Sequence, residues 1–181
     1  MEITVDSDAA YLVMPKARSR VAGYFRLLDN VNKPSRTLFN GAILIECKTL
    51  RHVVLSAAEA ETNGVYHNAK IALPLRQLLI EMGHPQPPTI IHTDNSTTHG
   101  FANKNIQLKK SKSWDMKLHW LRDREVRKQL HIKLNKGKDN SGDYFTKTSH
   151  TTLHHCQTRP LYLKDQVHTI FNGLKNVYLT T

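Results

Sequence analysis

Cysteine is scarce in this chain of 181 residues: Cys47 and Cys156 are the only two, so no disulfide framework stands in for a hydrophobic core. Long apolar runs are missing as well. The stretches present, such as Ala42-Ile43-Leu44-Ile45, fall far short of the roughly 18–20 residues that a transmembrane helix needs, and a soluble chain is expected. The opening Met1-Glu2-Ile3-Thr4-Val5-Asp6 has neither the basic nor the apolar region of a signal peptide, which argues against an oxidising compartment. Acidic residues are few: 15 Asp and Glu stand against 26 Lys and Arg, a formal charge of +11 with histidine neutral. Such an excess attracts polyanions, of which nucleic acid is the commonest inside cells, although a basic surface also serves solubility alone. With 8 glycines, 7 prolines and no internal repeat, collagen-like and mucin-like chains are excluded. What is present, 39% hydrophobic and 23% charged residues, suits one globular domain with a core, with room for a tail.

Ile3 to Ser7 alternates apolar and polar residues with period two, and Val21–Leu28 and Gly41–Ile45 are similarly strand-like. Together they predict an antiparallel meander, with a turn at Asp29–Ser35. Ala58, Thr62, Val65, Ala69 and Ala72 recur at helical spacing from Ala57 to about Met82, and Pro74 is expected to split this segment into two helices. Gly83–Pro88 ends it. Thr89–Asp94 reads as a buried strand, and Asn95-Ser96-Thr97 offers N-cap chemistry for a following helix. Ser113–Lys128 carries Trp114, Leu118, Leu121 and Val126 near helical spacing, His131–Leu134 reads as a fifth strand, and Ser141 can cap a last helix from Asp143. Beyond Thr148 the chain is polar and rich in histidine. The order β-β-β-α-β-α-α-β-α describes an α/β fold: a mixed five-stranded sheet, three antiparallel strands followed by two parallel additions, flanked by helices. Sites in such sheets gather at the carboxyl ends of the strands.

Four carboxylates fall where this fold would bring them together: Asp8 at the end of the first strand, Asp94 at the end of the fourth, Glu61 on the long helix and Asp143 at the start of the last. Carboxylates converging in one cleft repel each other by several kcal/mol at short range, so the arrangement makes sense where cations neutralise it. Hard divalent ions with oxygen ligands do so, and two magnesium ions about 3.5–4 Å apart can activate water and stabilise a leaving 3′ oxygen in phosphodiester hydrolysis. Each acid also has a plain structural reading. Glu59, grouped with Asn63, Tyr66 and Lys70, is expected on a solvated face, whereas Glu61 shares a face with Val65 and Ala72. Asp94 could be an N-cap and Asp143 could favour the helix macrodipole. Asp6 and Asp8 lie on one face of one strand, so periodicity does not choose between them.

The motifs resemble the RNase H domain that follows the reverse transcriptase in the Pol polyprotein of copia-type LTR retrotransposons, over roughly residues 7 to 163. Ser7-Asp8-Ala9-Ala10-Tyr11-Leu12 with Ala17–Gly23 is similar to that family's first two strands, and there the aspartate before alanine is catalytic, which selects Asp8. Ser56-Ala57-Ala58-Glu59-Ala60-Glu61 resembles S-x-x-E-A-E, whose second glutamate is a metal ligand. Thr93-Asp94-Asn95 matches T-D-N. Asn140-Ser141-Gly142-Asp143-Tyr144-Phe145-Thr146-Lys147 resembles N-x-A-D-x-x-T-K, with Gly142 where alanine is usual. Ser111-Lys112-Ser113 and His119–Asp123 fit the basic helix between them. The resemblance implies a catalytic domain over residues 1–148 and an extension over 149–181. It implies a metal-dependent endoribonuclease that hydrolyses the RNA strand of RNA/DNA hybrids by a two-metal mechanism. Asp8, Glu61, Asp94 and Asp143 would be catalytic and metal-binding, with two Mg²⁺ ions, for which Mn²⁺ can substitute. The reverse transcriptase domain of the same polyprotein is the implied partner, with no membrane and no small-molecule cofactor. A retrotransposon particle in the cytoplasm is the implied location, with the nucleus as the alternative. Leu134 stands where the family has tryptophan, and no loop histidine is evident near Lys138, which should slow turnover.

Between Ala102 and Lys138 twelve Lys or Arg face three acids. Lys109, Lys110, Lys112, Lys117, Arg122 and Arg124 are the candidates for holding phosphates of the hybrid, while Trp114 and Trp120 read as core. His150, His154, His155 and Cys156 lack the paired spacing of a zinc site. The alternative function is a catalytically weak or inactive module of the same fold that binds nucleic acid or packs against the polymerase.

Overall fold

The computed structural model describes residues 1–28, 41–103, 115–135 and 140–147. The turn expected at Asp29–Ser35, Trp114, Lys109, Lys110, Lys112, Lys138 and the histidine-rich extension 149–181 lie outside the described residues. The elements run β1 (Glu2–Met14), β2 (Arg18–Leu28), β3 (Leu44–Thr49), α1 (Ala57–Glu81), β4 (Thr89–Thr93), α2 (Ser96–Ala102), α3 (Asp115–Val126), β5 (Leu130–Leu134) and α4 (Asp143–Thr146). This is the order that the sequence predicts. The sheet order is β3-β2-β1-β4-β5, with β1–β2 and β2–β3 antiparallel and β1–β4 and β4–β5 parallel.

Alternation along β1 divides its neighbours. Ile3 and Val5 are buried and join Phe25, Ile91 and Ile132 in one core, which α1 closes with Val65, Ala69 and Ala72. Burial of each large side chain stabilises the fold by about 1.5–3 kcal/mol. On this face Ser7 Oγ accepts a 2.9 Å hydrogen bond from Asn68 Nδ2, which also donates to Ala22 O at 2.8 Å. Thr4, Asp6 and Asp8 point to the other face, where α4 lies against β1 and β2.

Pro74 does not divide the long helix, which runs unbroken for 25 residues. Ala69 and Ala72 before the proline, and Leu75 and Leu79 after it, pack on the same core, so both halves are held to the sheet. The cost is one backbone hydrogen bond, to the carbonyl of exposed Lys70. β1 is longer than the alternating stretch Ile3–Ser7 because the run Ala9–Met14 hides its period. The register shifts between Ala10 and Met14, with Leu12 at φ 56°. The hairpin then turns through Lys16 and Ala17 at φ 61° and 52°.

Glu59 is also not solvated. It is 6% exposed: its backbone N donates to Ser56 Oγ at 3.1 Å, and its Oε2 accepts from Leu55 N at 2.8 Å. The Ser56-x-x-Glu59 spacing is that of a capping box, a signal present in the sequence, although Glu59 here reaches one residue past the cap, to Leu55 N. Its neighbour Asn63 is covered by α3, whose Lys117 donates to Asn63 Oδ1.

The closeness of α1 to the sheet depends on Gly23, where a Cβ would press on Asn68 Oδ1 and lie 2.8 Å from Phe25 Cε2. Gly23→Ala is therefore expected to cost about 1–3 kcal/mol by overpacking, read as a lower urea midpoint at unchanged slope.

Candidate active site

Three elements deliver carboxylates to one end of the sheet. β1 carries Asp8, β4 runs straight into Asp94, and the first turns of α1 carry Glu61. One oxygen from each of these three residues lies within 4.8 Å of the others. Glu61 is aimed by β1 itself: its Oε1 accepts from Ala9 N at 3.1 Å, while its Oε2 is buried without a partner. Gly64, one turn on, permits this approach, since a Cβ there would already sit 3.3 Å from Asp8 O.

Asp94 is not the N-cap of α2. Asn95 takes that role, its Oδ1 accepting from Thr97 N at 2.8 Å and Thr98 N at 3.3 Å, and its Nδ2 donates to Ala58 O at 3.0 Å. Thr62 and Thr98 share a 2.8 Å hydroxyl hydrogen bond, a second tie between α1 and α2. Asp94 is left exposed beside the other two acids.

Asp143, the fourth expected acid, stands beside this trio, near enough for its charge to act on Asp8. Its Oδ1 is taken by Lys147 Nζ. α4 is docked by its own sequence: Asn140 Nδ2 donates to Ser7 O at 2.8 Å, Thr146 Oγ1 donates to Asp8 Oδ2, and Phe145 stacks on Tyr24 with ring centres 6.2 Å apart. At Gly142 a Cβ would lie 3.1 Å from Asp8 Cβ, so glycine lets the turn rest directly on β1. Asn95 caps the helix as its sequence predicts, whereas Asn140, Thr146 and Lys147 were not assigned roles from sequence, although all three sit inside the motif quoted for Asp143.

Of the candidate phosphate contacts in the described residues, Lys117 is bound to Asn63 on α1, and Arg122 lies on α3. Arg124 caps the Trp120 ring at 5.0 Å and donates to Gln129 Oε1 at 3.1 Å. Trp120 itself packs against the core, edge-on to Tyr66 at 5.1 Å.

Like charges at this spacing oppose one another by about 4 kcal/mol per pair at 4 Å and an effective dielectric near 20. The protein answers by holding protons. Burial pushes the Asp8 carboxyl up to about 6, opposed by the Thr146 hydrogen bond and reinforced by Asp143 and Asp94. Burial, then the charges of Asp8 and Asp94, push Glu61 up to about 9 against the Ala9 hydrogen bond. Lys147 is raised, chiefly by its bond to Asp143.

No family model matches the chain. It is 29% identical over 126 residues to the retrovirus-related Pol polyprotein from transposon TNT 1-94 of Nicotiana tabacum, a match that covers 66% of this chain and 9% of that polyprotein. The chain thus spans less than a tenth of the relative's length. Among solved structures it is similar to LC11-RNase H1, isolated from compost by a metagenomic approach, with TM-score 0.57, 9% identity, and coverage of 80% of this chain and 91% of that one. The same enzyme in complex with an RNA/DNA hybrid aligns with TM-score 0.55 and 8% identity over 79% of this chain and 92% of that one. The PFV RNase H domain follows with TM-score 0.50 and 16% identity over 88% and 91%. The sheet order and its helices therefore define an RNase H-like fold. The chain is distantly homologous to the Pol polyprotein of transposon TNT 1-94.

Both raised carboxyls lose protons more readily in the unfolded chain than in the fold, so ionisation favours unfolding above the ordinary carboxylate range near pH 4. Asp8 contributes this loss up to about pH 6 and Glu61 up to about pH 9. In EDTA, thermal melts should show Tm falling between pH 5 and pH 9, and Glu61→Gln should flatten that slope; an unchanged slope in the variant would contradict the assignment.

Proposed function

We propose that this domain is a divalent-metal-dependent endoribonuclease that cuts the RNA strand of RNA/DNA hybrids. The observation that supports it is the trio Asp8, Glu61 and Asp94 converging from three elements with Glu61 Oε2 buried and unpartnered. The donor set is all oxygen and all acidic, which fits Mg²⁺ or Mn²⁺ and not the sulfur and nitrogen ligands that zinc favours. Asp8, Glu61 and Asp94 would hold the cation, and Asp143 would complete the shell from α4. When bound, such ions neutralise the clustered charge, supply an activated water and stabilise the leaving 3′ oxygen.

The chain's own groups orient this chemistry. The Ala9 amide fixes one oxygen of Glu61 and leaves the other facing its neighbours. The Thr146 hydroxyl fixes Asp8 Oδ2 in the same way. Lys147 partly balances Asp143 and spreads positive charge toward Asp8 and Asp94. Lys109, Lys110, Lys112, Lys117, Arg122 and Arg124 would attract the phosphates of the duplex, with a salt-dependent affinity. Choice of RNA over DNA would rest on the 2′-hydroxyl and helix shape. Distant homology to a Pol polyprotein supports a place in retrotransposon reverse transcription, beside the polymerase domain of the same polyprotein and inside a cytoplasmic or nuclear particle.

The test is cleavage of a hybrid labelled separately on each strand, in Mg²⁺, Mn²⁺ or EDTA, by the wild-type chain and Asp94→Asn. Since Asn95 and not Asp94 caps α2, this substitution spares the fold. RNA-only cutting that stops in EDTA is expected. Loss of about 3 kcal/mol of charge stabilisation would slow the variant about a hundredfold. Wild-type chain that binds the hybrid yet leaves it uncut in either metal would overturn the enzyme reading in favour of a nucleic-acid-binding module.

A further inference from the structure

Asp6, the residue that periodicity could not separate from Asp8, has a different set of partners. Its side chain is 0% exposed, and its Oδ1 accepts from His92 Nδ1 at 2.8 Å and from Arg26 Nη2 at 3.1 Å. Ser141 adds a weaker contact to the same carboxylate, which leaves Oδ2 without a close partner. Burial would raise this carboxyl, but the His92 bond and the Arg26 charge outweigh it and hold it below its ordinary value. Asp6 is therefore engaged as an anion inside the sheet face and is no substitute for Asp8 in the acidic trio.

Its place in the register gives it a purpose. The parallel ladder between β1 and β4 pairs Thr4 with Ile90, Val5 with Ile91 and Asp6 with His92, and ends there. Two residues beyond that last rung stand Asp8, on the Asp6 face of β1, and Asp94, the first residue past the end of β4. Their like charges push β1 and the end of β4 apart at the point where backbone pairing between the two strands has stopped. The turn Asn140–Gly142, which leads α4 and Asp143 to the site, rests on the same stretch: Asn140 donates to Ser7 O, and a Cβ at Gly142 would meet Asp6 O at 3.2 Å. A buried ion pair is seldom a gain in stability over apolar side chains of similar size, so its value here lies in geometry.

We propose that Asp6 and His92 are positioning residues, a side-chain clamp on the last rung of the β1–β4 ladder that holds Asp8 and Asp94 at metal-binding separation. The inference rests on the metal-site reading above. Arg26 serves as its internal control. It binds the same oxygen from β2, a strand that carries none of the four acids, so it stabilises the charge without registering them.

Calorimetric titration of the full chain with Mn²⁺ alone tests the clamp, alongside thermal melts. His92→Phe keeps the ring and removes the donor, His92→Asn restores a donor at the Nδ1 position, and Arg26→Met removes only the second partner. The expected result is Mn²⁺ affinity about tenfold weaker in H92F, recovered in H92N, and within about twofold of wild type in R26M whatever its Tm. Electrostatics alone would move H92F the other way, because loss of a nearby donor favours a cation. Should H92F not fold, His92→Leu, which likewise removes the donor and leaves the Asp6 charge in place, takes its place with the same expected direction. Wild-type affinity in the folded clamp variant, or affinity that tracks Tm in all of them, would overturn the proposal. Wild-type chain that binds no Mn²⁺ would remove the metal-site reading first, a failure seen before any variant is made.

Discussion

Mutual repulsion among carboxylates gathered beside the middle of β1 is the constraint around which this domain is arranged. Asp8, Glu61 and Asp94 approach within 4.8 Å from a strand, a helix and a strand end, in surroundings dry enough to raise two of them well above the carboxylate range. Nothing in the hydrophobic effect favours that convergence. It is imposed by stronger local terms: α1 is pressed onto β1 and β2 at Gly23 and Gly64, its start is fixed by the Ser56 and Glu59 capping bonds, and the Ala9 amide then captures Glu61. Backbone geometry and apolar packing thus carry the cost of the acidic cluster, and the divalent cation proposed for it would relieve that cost.

Positive charge is distributed to complement this. The chain as a whole carries +11, and Lys147, bonded to Asp143, also lends its charge directly to the three clustered acids. Lys117 and Arg124 are built into α3 by Asn63, Trp120 and Gln129, so the basic helix is a shaped surface. A polyanion drawn to such a surface would bring phosphates toward a cleft that repels them until metal is present, which would couple substrate entry to metal occupancy.

Much of this was legible in the sequence, for identifiable reasons. Alternation in β1 and β2 and the 3.6-residue stripe from Ala58 to Ala72 gave the element order, because each pattern reports one buried face. Asp94 followed by Asn95 separated into acid and cap, as a strand-to-helix junction requires. Pro74 misled because tertiary packing on both sides outweighed one lost hydrogen bond. Glu59 misled because helical periodicity does not reveal that α3 covers the second face of α1, although the S-x-x-E spacing was there to be read. Asp6 and Asp8 were indistinguishable by period. What separates them is the identity of their neighbours across the sheet, His92 and Arg26 for one and Thr146 and Glu61's approach for the other, and those pairings exist only once the strands are in register.

The most direct measurement is anomalous diffraction from crystals of the chain soaked in Mn²⁺. The expected result is density for the ion among Asp8, Glu61 and Asp94, with Glu61 Oε2 turned to it. Crystals saturated with Mn²⁺ that show the ion elsewhere, with the three carboxylates still apart from any cation, would contradict the claim that this cluster is a metal site.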